Sequence, residues 1–194
     1  MVKSKNSLQL KRYLGLSLAG AKSKTPKTTL SILEFYPKEN KVFLLDVFEK
    51  IGSKPNLSSD EVLLETIENS KDHIASFGVN IPLTLPPCIT CKRKTCPLPK
   101  KCTVPTVKWM NKISNESDRK KRNFTPYTQR PIELWVKKKI TNQTNGRFDI
   151  DETLGGTLAP LTARMNFLLR QLKEFHICEV WPKLTLLTLG QKHK

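Results

Sequence analysis

At 194 residues, with 38% apolar and 7% aromatic side chains, the chain suits one domain of ordinary size with a real core. No apolar run approaches the ~20 residues that span a bilayer, which excludes a helical integral membrane protein and any membrane partner that depends on one. The charge is one-sided: 34 lysines and arginines against 17 acids give +17.

Residues 1–11 read as a disordered basic tail. Lys3, Lys5, Lys11 and Arg12 precede Leu14–Ala21, an apolar run broken by Gly15 and Ser17. It is too interrupted for a secretory signal and better suited to a first strand, so a cytoplasmic location is expected. Gly20 to Lys27 is a polar turn. Thr28 to Tyr36 is rich in β-branched and aromatic residues and predicts a second strand. Turn chemistry at Pro37–Asn40 leads into a third, Lys41 to Phe48, completing an antiparallel meander. Ser58 and Glu61 form a capping box, and Val62, Leu63 and Ile67 continue at helical spacing to about Ser70. Ile74 to Leu83 is nearly continuous in apolar residues, as a strand covered on both faces should be, until Pro82 stops it.

From about Thr84 to Asp151 periodicity is lost, apart from a helix-like stretch around Glu133 to Ile140. Pro160 then suits a helix first turn, and Leu161, Met165, Leu168, Leu169, Leu172 and Phe175 mark one apolar stripe. His176 to Trp181 predicts a fifth strand, ended by Pro182. The pattern β-β-β-α-β, insertion, α-β is that of an α/β protein with a mixed sheet flanked by helices: a three-strand antiparallel meander plus parallel strands. Residues 12–194 form one domain on this reading, with an irregular insertion at about 84–150.

That insertion carries most of the charge. Between Thr84 and Arg147 lie 16 lysines and arginines against 3 acids, a surplus of 13, which leaves +4 for the other 130 residues. A field so localised attracts polyanions and makes nucleic acid the expected partner, with a merely solvated loop as the plainer explanation. The same insertion holds Cys88, Cys91, Cys96 and Cys102 within fifteen residues. Four thiolates suit a tetrahedral structural Zn²⁺, or equally a 4Fe–4S cluster, with disulfides or free thiols as the remaining possibilities. Cys178, apart from these, reads as a small buried hydrophobe. Trp109, Trp135 and Trp181 read as core or cover residues rather than stacking platforms, although Trp109 and Trp135 lie within the basic segment. Tyr127 could stack on a base and Arg130 could pair with a phosphate, or both could belong to a plain surface loop.

Several phrases, in order along the chain, carry a resemblance. They are Gly15–Gly20 with Lys22, Gly78–Pro86, the Cys88–Cys102 run, Val107–Met110, Phe124–Arg130, Leu158–Arg164 and Glu179-Val-Trp-Pro-Lys183. They resemble the domain-of-unknown-function family 429, a family of predicted ribonuclease H-like nucleases. The resemblance covers nearly all of the chain after residue 12 and implies a ribonuclease H-like fold. It implies an acidic cluster at the positions of Ser17, Asn80 and Glu179, where the family usually has two aspartates and the glutamate. Lys22, Tyr127, Gln129, Arg130, Arg164 and Lys183, all within these phrases, are the candidate nucleic-acid contacts, with Arg164 otherwise simply solvated. Two-metal phosphodiester cleavage needs clustered carboxylates around hard cations. Ser17 and Asn80 are neutral, so a degenerate site is expected, with Mg²⁺ or Mn²⁺ left only Glu179. The chain is therefore expected to bind nucleic acid across a cleft lined by Ser17, Asn80, Arg130 and Glu179. An active metal-dependent nuclease supplemented by Asp149 or Asp151 remains open, as does a module for protein or small-molecule binding.

Overall fold

The structure, a computed structural model, describes residues 10–20, 27–115, 124–143, 150–156 and 158–190. Most of the expected basic tail and all of Lys22 and Asp149 lie outside the described residues. The chain divides into two compact units, 1–83 with 163–180 and 84–162 with 181–194.

The first unit is built on one mixed five-stranded sheet. Its strands are β1 (Lys11–Ser17), β2 (Thr28–Tyr36), β3 (Lys41–Ile51), β4 (Ile74–Val79) and β5 (Ile177–Glu179). Their order is β3-β2-β1-β4-β5. The meander β1–β3 is antiparallel, while β4 joins β1 and β5 joins β4 in parallel. Parallel neighbours need crossovers, and the first contains α1 (Ser59–Glu68). Its capping box is formed: Glu61 N donates to Ser58 Oγ, and Ser58 N donates to Glu61 Oε2 at 2.7 Å.

Strand alternation puts Leu14, Leu16, Leu30, Ile32, Phe77 and Val79 on one buried face. Val62, Leu63 and Ile67 of α1, with Met165 and Leu168 of α4 (Leu158–Leu168), complete the apolar core of this unit. The predicted stripe overshoots the helix, which ends at Leu168. Leu172 is nevertheless buried, and Phe175 meets Phe77 edge to face at 6.2 Å from a turn.

β3 departs from the expectation for a core meander strand. It is the sheet edge, and Val42 and Leu44 are 60% and 61% exposed. A register shift between Ile32 and Leu33 bends the pairing there, a common device at sheet edges.

In the second unit the insertion is more regular than its sequence suggests. A single 3₁₀ turn at Pro99–Lys101 precedes α2 (Pro105–Asn115), which adjoins α3 (Pro131–Gln143). Prolines open both helices, where a missing N–H costs nothing. The same holds for α5 (Pro182–Thr188), while β5 already ends at Glu179 rather than running on to Pro182 as the sequence suggests. Val136 and Ile150 form a small core covered by Ile140, Trp181, Leu184 and Leu187. Among the described residues no helix is long and apolar enough to cross a membrane.

Candidate functional site

The sheet brings Ser17, Asn80 and Glu179 to one end of the first unit. All three lie at or just past the carboxyl ends of adjacent parallel strands, the usual place for sites in α/β sheets. Leu16 is level with Val79, and Val79 is level with Glu179. Asn80 N donates to Leu16 O at 3.2 Å, which fixes Asn80 beside Ser17. The side chains do not converge equally. Ser17 and Asn80 are exposed and one residue out of phase with Glu179, so alternation turns them to the opposite face. The Glu179 carboxylate accepts from Leu83 N at 3.2 Å and so braces the turn that follows β4.

This corrects the expectation of Mg²⁺ or Mn²⁺ at Glu179. Among the described residues no group of three or more His, Cys, Asp or Glu side chains is arranged to hold a metal ion. Neutral Ser17 and Asn80 add no charge to draw a hard cation.

The same finding overturns the four-cysteine Zn²⁺ site and its 4Fe–4S alternative. Cys88, Cys91, Cys96 and Cys102 do line one cavity of about 120 Å³ in the second unit, and all four are free thiols. A tetrahedral zinc requires four sulfurs about 2.3 Å from one point. Here the thiols sit in unlike surroundings, Cys102 buried and Cys91 and Cys96 exposed. Burial, reinforced by the neighbouring cysteines, pushes the Cys88 thiol above its ordinary pKa. The loop is held by other means. Cys88 N donates to Pro126 O at 3.1 Å, Cys102 N to Pro99 O at 3.2 Å, and Arg93 Nη2 to Thr103 Oγ1 at 2.7 Å. Cys178 lies 3.5 Å from Ser76 Oγ in the sheet.

The predicted phosphate-binding arginines are turned inward. Arg130 is 3% exposed, and its Nε donates to Glu133 Oε1 at 2.7 Å. Glu133, 1% exposed, also accepts from Arg130 N at 2.9 Å and Thr153 N at 3.3 Å. Thr153 Oγ1 donates to the same carboxylate, and Arg130 Nη1 donates to Thr84 Oγ1 at 3.2 Å. Glu133 thus serves as the reaching-back carboxylate of a half capping box at the start of α3. Gln129 is buried beside this network. In the first unit Arg164 makes a comparable clamp. It donates to Asp60 Oδ1 at 2.7 Å, to Ala19 O and to Thr28 Oγ1, tying the start of α1 to the ends of β1 and β2. Tyr127 and Lys183 are exposed, as a ligand contact requires. Asp151 is exposed too, and lies in the second unit with Arg130.

Two tryptophans expected as core or cover residues are partly exposed rather than buried. Trp109 on α2 is 37% exposed and Trp135 on α3 is 47% exposed. Their helical phase is the signal that could have shown it. Val107 and Met110 face inward on α2, and Glu133 and Val136 on α3, which leaves both tryptophans on the outer arcs beside lysines.

No family model, curated protein or solved structure matches the chain in comparison.

Proposed function

We propose that this chain is a ribonuclease H-like protein that binds nucleic acid through its basic second unit and has a neutralised acidic cluster in the first. The observation that carries the reading is the concentration of charge, 16 cations against 3 acids between Thr84 and Arg147. Lys92, Lys94, Lys100, Lys101, Lys108, Lys112 and Lys139 are all exposed there, available to phosphates. The ancestry is supported by the strand order β3-β2-β1-β4-β5 with an antiparallel meander, the arrangement that the ribonuclease H resemblance implies. The strand-end position that the family fills with charge is occupied here by a hydroxyl and an amide, Ser17 and Asn80.

Because Arg130 and Arg164 are engaged internally, the phosphate contacts move to the exposed lysines and Arg93, with Tyr127 as an exposed aromatic. Binding by lysine point charges is steeply salt-dependent, each neutralised phosphate adding about 0.7 to 0.9 to the logarithmic slope. The test is fluorescence anisotropy with labelled DNA and RNA across a salt series. Association near about 50 mM salt with a slope of several units supports the reading. No association with either polymer at that salt overturns it.

A further inference from the structure

A partly exposed tryptophan beside lysines on a helix is an unusual use of the largest apolar side chain, and the second unit has two, Trp109 at 37% and Trp135 at 47% exposure. On α2, Lys108, Trp109 and Lys112 are exposed, with Trp109 and Lys112 three residues apart. On α3, Ile132, Trp135, Lys138 and Lys139 are exposed, with both lysines three and four residues after the indole. Residues at these spacings are neighbours on a helix surface, their Cβ atoms about 5–6 Å apart. The two helices adjoin one another within the unit. The small cluster of Val136 and Ile150 is covered by Ile140, Trp181, Leu184 and Leu187 rather than by either of these indoles.

We infer that the outer arcs of α2 and α3 bind single-stranded nucleic acid, Trp109 and Trp135 stacking on bases while the adjacent ammonium groups meet the phosphates. This rests on the nucleic-acid reading above and adds the class of ligand. Stacking needs a base face, which a duplex hides and a single strand offers. The lysine next to each ring answers the charge that every nucleotide carries with its base. An apolar protein partner would cover the indoles but make no use of the exposed lysines beside them. An acidic polypeptide would pair the lysines without a use for the rings.

The test uses the full chain with a labelled homopolymer strand of about 16 nucleotides, a duplex of the same length, and unlabelled polyglutamate as competitor. Trp109→Ala and Trp135→Ala should each weaken the single-strand complex about 5- to 150-fold while leaving the duplex complex within about twofold. Lys138→Gln with Lys139→Gln should weaken both complexes and lower the salt slope. Trp181 remains in both tryptophan variants as a fluorescent check on folding. Unchanged single-strand affinity in folded tryptophan variants overturns the stacking inference but leaves the electrostatic reading standing. So does an equal loss for duplex, or competition by polyglutamate as effective as that by the strand. Absence of binding to strand and duplex alike at low salt removes both.

Discussion

The buried pair Arg130–Glu133 gives the sharpest test of the reading that this arginine is framework rather than ligand contact. In Glu133→Ala the guanidinium of Arg130 keeps its charge at 3% exposure and loses the carboxylate that accepts from its Nε at 2.7 Å. The amides of Arg130 and Thr153 lose their carboxylate acceptor as well. Breaking a buried ion pair from one side costs about 3–5 kcal/mol. Each stranded donor adds up to about 1–3 kcal/mol, less whatever water or relaxation recovers. The expected loss is about 4 kcal/mol, a large share of the usual 5–15 kcal/mol of a folded domain. All three tryptophans, Trp109, Trp135 and Trp181, fall in the second unit, so denaturant unfolding followed by tryptophan fluorescence reports on that unit alone. The double variant Arg130→Met with Glu133→Leu should recover part of the loss, because no charge is then left stranded. A cost below about 1 kcal/mol for Glu133→Ala would refute the framework role. So would a reduced salt slope of nucleic-acid binding in Arg130→Met, since a phosphate contact changes that slope and a buried strut does not.

Three further outcomes follow from particular contacts. A Cβ at Gly15 would lie 2.7 Å from Ser31 Oγ, so Gly15→Ala should cost about 1–3 kcal/mol by denaturation and be largely rescued in the Ser31→Ala background; equal losses in both backgrounds would refute the clash. Glu34 is held below the usual carboxylate range, first by the hydrogen bond from Arg12, so its contribution is full above the unfolded value near about 4.3 and is lost as pH falls through the lower folded value. Glu34→Gln should flatten the acid limb of stability followed by circular dichroism, and an unchanged acid limb would count against the pair. Chelators should leave the unfolding midpoint of the second unit unchanged. Cys102→Ser, at a buried thiol, should cost more than Cys91→Ser or Cys96→Ser, which should stay within about 0.5 kcal/mol; a chelator-induced drop in the midpoint would refute this account of the loop.

How much of this was legible depended on whether the signal was local. The meander, the capping box at Ser58 and strand β4 were readable because period, turn residues and cap chemistry lie within a few positions of one another. α2 escaped because only Val107 and Met110 of its eleven residues are buried, too narrow a stripe to register as periodic. The helix ending at Leu168 was overdrawn because Leu172 and Phe175 reach the same core from a turn that keeps the apolar spacing without the helix. Arg164 was misjudged for a different reason. Its partner Asp60 is 104 residues away, and a single sequence says nothing of such a pairing. The cysteine spacing was plain, but spacing does not specify whether four sulfurs share one point.

The division of labour between the two cations explains why the charge could be located and its contacts could not. Arg12, Arg130 and Arg164 each meet an acid inside the protein, Glu34, Glu133 and Asp60, and use the several donors of a planar fork to join elements distant in sequence. Lysine offers a compact, strongly hydrated charge that is costly to bury, and Lys108, Lys112 and Lys139 stay at the surface. These three arginines are therefore offset by acids, while the exposed lysines carry their charge to the surface. A count of basic residues finds the segment that attracts a polyanion. Only the paired acids reveal which cations are already engaged, and that moves the expected contacts from the Tyr127–Arg130 loop toward the outer arcs of α2 and α3.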